Sequence, residues 1–385
     1  MRRTAAVVLA LLGTTLLAGT APAAGAAPRE AAPARAATDA PPPKDCALQT
    51  PARPDDVPVL AHFYIWFTAS SWNRAKTDYP AVGRYSSDQA SVMREQVAQA
   101  KAAGIDGFIV SWKDTAVLDQ RLATLHDIAA DAGFGLAITY QAQDFNRHPL
   151  PVAQVRKDLE AFADRYADDP VFHVLGPRPL VAISGTWHYT TEELRSVTEP
   201  VASRLLVLAT EKRLDDYERV APAVEGELYY WSSGDPETTP GYQDKLMEMA
   251  DAVRANCGVW VAPVAPGYDA RTLGGERVVD RRDGDTLRAS WEDALATVPH
   301  AIGVISWNEF SENTHVEPST QYGARYLRVL SGLTGAPGPP ALDMDSSAPQ
   351  ATGSPLQAAL VVGGAFALVA GLAVIGVVRH RRTPA

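Results

Sequence analysis

The chain has 385 residues, of which 46% are apolar, and it carries a formal net charge of −10 at pH 7. This length suffices for one large domain or two ordinary domains, each with a sizeable core. The acidic balance argues against a nucleic-acid partner, because proteins that bind nucleic acids normally present a basic face.

The first 27 residues predict a secretory signal peptide. Arg2 and Arg3 precede a short apolar run, and the small residues from Ala24 to Ala27 bracket a cleavage site. A membrane anchor is the alternative at this end, but the apolar run is short and ends in Ala, Gly and Pro. Residues 28–44 are rich in Pro and Ala and predict an extended linker.

The C-terminal end predicts a membrane attachment. Residues 356–378 are uncharged and long enough to cross a bilayer as a helix, and the basic tail 379–385 follows at once. Basic residues that flank a span stay on the cytoplasmic side. A buried core helix is the alternative interpretation. We therefore expect an exported body, residues 45–335, held outside the cell membrane through the linker 336–355.

Within the body, short apolar runs alternate with helical patterns. The runs that predict strands are 57–67, 105–112, 134–141, 178–185, 205–211, 226–233, 258–266 and 301–309. The patterns that predict helices are 86–104, 116–133, 152–168, 191–204, 214–221, 241–256, 287–300 and 322–333. Continuous apolar runs are typical of parallel strands buried on both faces.

Eight strand–helix repeats predict an α/β fold with a single (β/α)8 barrel, a TIM barrel. A doubly wound open sheet is the alternative. No Gly-rich phosphate loop follows the first predicted strand, so a dinucleotide site has no support.

Aromatic and polar side chains lie where the predicted strands end. Chemistry on (β/α)8 barrels takes place at the carboxyl ends of the strands. Aromatic faces stack on sugar rings, and polar groups bind sugar hydroxyls, so this composition favours a carbohydrate cleft. The alternative is that the aromatic rings only cap the core. The candidate substrate-binding residues at these ends are Tyr64, Trp66, Trp112, Tyr140, His188, Tyr230, Trp231, Tyr268 and Asn308.

Two glutamates, Glu309 and Glu312, follow the last predicted strand. Glycoside hydrolysis usually uses two carboxyl groups, one protonated and one ionised. The pKa values of two neighbouring carboxyl groups move apart, because the two negative charges would repel each other if both groups were ionised. This pair is therefore the catalytic candidate. The same Glu-x-x-Glu spacing is also common at a solvated helix start, and it does not fix the separation of the carboxyl groups.

Several segments resemble a known family. GIDGFIVSW (104–112), PGYDART (266–272), SWNEFSENTHVEPS (306–319) and YGARYL (322–327) are similar to the pattern of glycoside hydrolase family 99, the endo-α-mannosidase and endo-α-mannanase family. The similarity starts at HFYIWF (62–67) and covers nearly the whole body. It implies a (β/α)8 barrel that cleaves internal α-mannosidic bonds with retention and without a metal or cofactor.

The resemblance also implies roles for individual residues. Glu309 would remove the proton of the sugar 2-hydroxyl, whose oxygen attacks C1 to give a 1,2-anhydro sugar. Glu312 would act as general acid and then as base for water. Tyr268 matches a tyrosine that supports the base carboxylate, and Trp72 is retained in the loop after the first strand.

The chain departs from the family pattern around the two glutamates. The family usually has Trp-His between them and Gly-Thr-Gln after the second, whereas this chain has Phe310-Ser311 and then 313–315, Asn-Thr-His. These changes affect the shell that faces the substrate and leave both carboxyl groups in place. They bear on which glycan is bound more than on the reaction class.

Other polar residues leave alternatives open. His188 binds a sugar hydroxyl or lies on the surface, and Glu317 binds substrate or forms a salt bridge at the rim. Arg271, Arg281 and Arg282 fall in a charged segment that is more typical of a solvated loop than of an anion site.

The two cysteines, Cys46 and Cys257, form either a disulfide, as exported proteins allow, or two separate thiols. We expect a monomer whose partner is an α-mannoside glycan or polysaccharide. Two other functions remain open: an α-1,3-glucanase-type hydrolase on the same barrel, and a glycan-binding barrel without catalysis.

Overall fold

A computed structural model describes residues 50–338 of the chain, apart from residues 52 and 145. The strands are β1 Val59–Tyr64, β2 Gly107–Trp112, β3 Gly135–Gln141, β4 Leu180–Ser184, β5 Leu206–Ala209, β6 Gly226–Leu228, β7 Val259–Val264, β8 Tyr268–Asp269, β9 Val278–Val279 and β10 Ala301–Val304. The helices are α1 Ala90–Ala102, α2 Ala116–Ala132, α3 Val152–Tyr166, α4 Thr191–Thr198, α5 Leu214–Val220, α6 Tyr242–Ala255, α7 Asp285–Ala296 and α8 Arg325–Thr334.

Eight of the strands close into a parallel barrel. The order around the barrel is β1-β10-β7-β6-β5-β4-β3-β2, and β1 closes the ring by pairing with both β10 and β2. The predicted (β/α)8 barrel is thereby confirmed. The remaining strands, β8 and β9, form a two-stranded antiparallel ribbon in the connection that follows β7.

The barrel interior changes from apolar to polar toward the carboxyl ends of its strands. Successive side chains of a strand point to opposite faces, so every second residue points inward. Along β1 the inward residues are Leu60, His62 and Tyr64. Leu60 packs with Ile109 and other apolar side chains in a cluster that fills the barrel, whereas His62 and Tyr64 line a cavity. The polar cavity therefore lies at the carboxyl ends of the strands, next to the apolar cluster that fills the rest of the barrel.

Three predicted elements end five or more residues earlier than expected. The strand expected at 301–309 stops at Val304, and the strand expected at 226–233 stops at Leu228; the residues that follow each strand form buried or half-buried loops. The helix expected at 191–204 stops at Thr198, since Pro200 cannot donate to a helical hydrogen bond. The ribbon of β8 and β9 has only two residues per strand, too short for a sequence signal.

The predicted signal peptide, 1–27, both linkers, the span 356–378 and the basic tail lie wholly or almost wholly outside the described residues. Of the helices that the structure does describe, none has the length and apolar character required to span a membrane. Cys257 is disulfide-bonded, whereas Cys46 lies outside the described residues.

Candidate active site

A cavity of about 390 Å³ opens at the carboxyl ends of the barrel strands. This volume falls in the usual range of small-molecule sites. Five of the residues expected from the sequence line it together: Tyr64, Tyr230, Trp231, Tyr268 and Glu312.

The loop after β10 holds both candidate catalytic glutamates below the protein surface. Glu309 is 3% exposed and Glu312 is 2% exposed. The Ser306 side chain accepts a hydrogen bond from the Glu309 backbone amide at 2.8 Å. The Asp269 amide, in the ribbon, donates to the Glu312 carbonyl at 2.8 Å. The ribbon and the first turn of the loop therefore fix the backbone of the two glutamates from opposite sides.

Arg281 holds the same loop in place through two hydrogen bonds. Its guanidinium donates to the carbonyl of Asn313 at 2.8 Å and to that of His315 at 2.9 Å. It also lies over the rings of Tyr322 and Tyr326, at 4.5 and 4.4 Å from their centroids. Arg281 is only 5% exposed, so the expectation of a solvated loop is wrong for this residue.

The other two arginines of that segment form ion pairs with carboxylates. Arg271 pairs with Asp269 at 2.7 Å, and Arg282 pairs with Asp235 at 2.9 Å and with Glu237 at 2.8 Å.

His315 anchors the far end of the loop. Its Nε2 atom lies 3.0 Å from Asp78, and its ring stacks on Phe310 at 4.0 Å. Burial lowers the pKa of His315 to about 4, so the imidazole is neutral at pH 7. The Asp78 carboxylate also accepts hydrogen bonds from the Thr320 hydroxyl and the Gln321 amide. The contact with His315 is therefore a hydrogen bond rather than an ion pair.

The environment drives the pKa values of the two glutamates apart. Burial raises the pKa of Glu309, but the Ser311 amide, which donates to its carboxylate at 2.8 Å, and the charge of Lys76 oppose that rise. Burial also raises the pKa of Glu312, and the charge of Glu309 raises it further, so that it lies well above its usual value. The Oε1 atom of Glu312 has no hydrogen-bond partner among the described residues. The surroundings therefore favour the ionised form more at Glu309 than at Glu312.

Two tyrosines connect the barrel interior to the carboxyl groups. The hydroxyls of Tyr64 and Tyr230 lie 2.7 Å apart. Burial raises the pKa of both phenols, and the charges of Glu309 and Glu312 add to the rise, so both tyrosines stay protonated. One hydroxyl donates to the other, which leaves one hydroxyl proton of the pair for a further hydrogen bond.

Tyr268 lies next to the second glutamate. Burial raises the pKa of Tyr268, and the charge of Glu312 adds to the rise. That Tyr268 supports the Glu309 carboxylate stays a prediction.

Five expected substrate-binding residues are buried with internal partners and do not line the cavity in the described part of the chain. Trp72 is stacked on Phe67 at 4.7 Å and packs against Phe310. The indole of Trp112 donates to Asp119, and the hydroxyl of Tyr140 donates to Asp158. The five residues are Trp72, Trp112, Tyr140, Asn308 and Glu317.

Asn308 and Glu317 hold the scaffold under the loop. Asn308 accepts from the Tyr64 amide at 2.8 Å and donates to the Tyr64 carbonyl at 3.0 Å, which joins β1 to the catalytic loop. Glu317 accepts from Gln96 at 2.7 Å and from the Tyr85 hydroxyl at 2.9 Å. Both expected ligand contacts are therefore better described as positioning contacts.

Trp66 and His188 lie nearer the surface. The half-buried ring of Trp66 lies 4.3 Å from that of Tyr64, which lines the cavity. His188 is exposed and contacts Gln143. Neither is a lining residue among those described.

Several lining residues are not among the predicted catalytic or substrate-binding residues. These are His62, Trp187, Glu211, Lys212, Lys245 and Arg277. His62 carries a signal, because a histidine interrupts an otherwise apolar strand two residues before Tyr64. Its Nε2 atom has no hydrogen-bond partner among the described residues, and burial lowers its pKa to about 3.

A second carboxyl pair lies at the ends of β5 and β6. The Glu211 amide donates to the Glu227 carboxylate at 2.5 Å. Burial, followed by the charge of Glu211, raises the pKa of Glu227 well above its usual value. The barrel wall therefore favours the protonated form of Glu227, while Glu211 lines the cavity.

The sequence model for Glycosyl hydrolase family 99 matches residues 68–330, about two thirds of the chain. The chain belongs to this family. It is 21% identical over 267 residues to the glycoprotein endo-alpha-1,2-mannosidase of Rattus norvegicus, and 22% identical over 269 residues to the human glycoprotein endo-alpha-1,2-mannosidase-like protein. Each alignment covers 62% of this chain and 56% of the relative, so the chain spans little more than half the length of these relatives.

Solved structures give the same fold. The family 99 endo-alpha-mannosidase of Bacteroides thetaiotaomicron superposes with a TM-score of 0.62 at 18% identity, over 72% of this chain and 96% of that one. At this identity the superposition establishes the barrel alone. Within the described residues, no group of three or more His, Cys, Asp or Glu side chains is placed to hold a metal ion.

Proposed function

We propose that this protein is an endo-α-mannosidase-type glycoside hydrolase that cleaves internal α-mannosidic bonds with retention. One observation carries the proposal: two buried glutamates share one loop of a family 99 barrel, the environment raises the pKa of Glu312 well above its usual value while Lys76 and the Ser311 amide oppose the rise at Glu309, and Glu312 faces the cavity. The similarity to endo-alpha-1,2-mannosidases supports the choice of mannoside.

In the first step, the ionised Glu309 takes the proton of the sugar 2-hydroxyl. The freed O2 electron pair attacks C1, and the bond from C1 to the leaving oxygen breaks. That oxygen takes the proton of Glu312, which leaves a 1,2-anhydro sugar in the cavity.

In the second step, the ionised Glu312 takes a proton from water, and the water oxygen attacks C1. The C1–O2 bond breaks, and O2 regains its proton from Glu309. Each step inverts C1, so the product keeps the starting configuration.

The polarity of the site fits these assignments. The Ser311 amide and Lys76 favour the ionised form of Glu309, which the base must have. Burial and the neighbouring negative charge keep Glu312 protonated, which the acid must be. Tyr64, Tyr230 and His62 offer hydrogen-bonding groups to the hydroxyls of the same sugar.

Digests of α-mannan and α-1,3-glucan, analysed by mass spectrometry of the products, test the reaction class. We expect internal cleavage of the mannan, and none in a Glu312→Gln variant that still binds the glycan. Cleavage of the glucan alone would favour an α-1,3-glucanase, and binding without cleavage of either would favour a glycan-binding barrel. Both of these outcomes would overturn the proposal.

We further propose that the catalytic body is exported and held at the outer face of the cell membrane by the apolar segment 356–378. The basic start, the small-residue stretch at 24–27 and the basic tail support this topology. Protease added to intact cells should release the body by cutting within 336–355. A body that is protected until the cells are lysed would contradict it.

A further inference from the structure

Two cations meet at one wall of the cavity without an acidic partner. Lys245 extends from α6, and Arg277 lies just before β9 of the ribbon; both line the cavity. The Lys245 ammonium lies 4.1 Å from the centroid of the Trp231 ring, and Arg277 donates to the Ser233 carbonyl at 3.1 Å. Both cations therefore lie against the segment that follows β6.

Neither cation forms an ion pair with an Asp or Glu of the described chain, in contrast to Arg271 and Arg282 of the same region. Burial lowers the pKa of Lys245, and the nearby charge of Arg277 lowers it further, with no carboxylate acting in the opposite direction. Lys212, a third cation of the cavity, differs because the charges of Glu211 and Asp216 oppose the lowering of its pKa by burial.

Lys245 is half-buried and Arg277 is exposed. Two like charges on one wall of a cavity repel each other, and an anion bound between them would relieve that repulsion. The rest of the protein is acidic, with a net charge of −10, so this wall is not part of a general basic surface. The Trp231 ring, stacked on Tyr242 at 4.7 Å, holds the Lys245 ammonium in place. A guanidinium beside it presents a planar fork of donors that matches an oxyanion.

We propose that Lys245 and Arg277 bind an oxyanion substituent of the glycan, a phosphate ester or a uronate carboxylate, so that the preferred substrate is an anionic mannoside. The inference rests on the proposed function for the identity of the sugar. It is independent of the roles of Glu309 and Glu312. The cavity would then place the reacting sugar beside Glu312 and the anionic group against the Trp231 wall.

Binding of small mannosides to the whole protein, followed by tryptophan fluorescence or calorimetry, tests the inference. The probes are methyl α-mannoside, mannose 6-phosphate, methyl α-mannuronoside and inorganic phosphate. The variants are Lys245→Met and Arg277→Met, which keep the apolar stems of the side chains. Arg271→Met is the matched control, since Arg271 lies in the same ribbon but pairs with Asp269 and does not line the cavity in the described chain.

We expect the wild-type protein to bind one of the anionic mannosides roughly 10- to 100-fold tighter than methyl α-mannoside, the range for a charge-assisted contact. Lys245→Met and Arg277→Met should each lose most of that difference, while Arg271→Met keeps it. A preference for mannose 6-phosphate would assign the group as a phosphate ester, and a preference for the mannuronoside would assign it as a carboxylate.

Equal binding of neutral and anionic mannosides by the wild-type protein would overturn the inference, and so would inorganic phosphate that binds as tightly as its ester. Hydrolysis of neutral α-mannan, measured in parallel, separates the two claims. If neutral mannan is cleaved and the anionic probes have no advantage, the inference fails and the proposed function stands. If anionic mannosides bind through these residues and neither neutral mannan nor a mannan that carries the preferred anionic group is cleaved, the inference stands and the proposed function fails.

Discussion

Replacing Arg281 with methionine should loosen the catalytic loop without touching a catalytic group. Arg281 donates two hydrogen bonds, to the carbonyls of Asn313 and His315, directly after Glu312. A hydrogen bond from a charged group contributes about 1.5 kcal/mol at the low end, so the loss of both destabilises the fold by about 3 kcal/mol. For a domain of this size, this lowers the melting midpoint by roughly 6 °C.

The same change should lower kcat by about 100-fold, because a displacement of about 1 Å at the reacting groups has an effect of this order. Thermal unfolding and mannoside turnover measure the two effects on one preparation. Arg271→Met is the control; the Arg271 side chain is exposed and pairs with the buried Asp269 carboxylate instead of a carbonyl of the catalytic loop, so we expect a smaller change than for Arg281→Met. If Arg281→Met unfolds and turns over like Arg271→Met, Arg281 does not brace the loop.

Three further predictions concern protons and thiols. Burial raises the pKa of Glu317 from 4.5 to about 8, so the folded protein holds a proton that the unfolded chain releases. The free energy of unfolding should therefore fall by up to about 5 kcal/mol as the pH rises from about 4.5 to 8. Urea unfolding of Glu317→Gln should show less of this fall. The rate of mannoside hydrolysis should fall at low pH as Glu309 gains a proton and at high pH as Glu312 loses its proton. A pH–rate profile that does not fall at high pH would contradict the role of Glu312 as the acid. Thiol labelling of the denatured, unreduced chain should find neither Cys46 nor Cys257 free. A disulfide between them would add on the order of 4 kcal/mol to the free energy of unfolding. Two labelled thiols would rule the disulfide out.

The barrel could be predicted from the sequence because its signals repeat. Eight continuous apolar runs, each followed by an amphipathic helix, leave few arrangements other than a closed parallel sheet. The strand ends were less predictable. The residues that follow β6 and β10 are buried or half-buried, but they form loops, many of whose hydrogen bonds join residues far apart in the sequence.

The face on which each aromatic residue lies is decided by strand parity, which the sequence interpretation did not use. Trp112 and Tyr140 are paired neighbours on β2 and β3 and point outward to the helices. The residues beside them, Ser111, Thr139 and Gln141, point inward and line the cavity. Starting from Tyr64, which pairs with Ser111, the alternation along each strand would have assigned these faces correctly.

The cations of the cavity could not be found in this way. Lys245 reaches the cavity from a helix, and Arg277 reaches it from a connection between two-residue strands. Neither position has a periodic pattern, and long side chains can bring a charge to a cavity from outside the barrel. The three-dimensional arrangement was therefore required to find them.

The division of labour between the two glutamates is tested most directly by leaving-group dependence in Glu309→Gln and Glu312→Gln. Each change is nearly isosteric, and each should lower turnover of an ordinary α-mannoside by roughly 10²- to 10⁴-fold. An aryl mannoside with an activated leaving group needs little protonation, so it should recover much of the rate of Glu312→Gln and none of that of Glu309→Gln. Equal rescue of both variants, or near wild-type turnover by Glu309→Gln, would contradict the account.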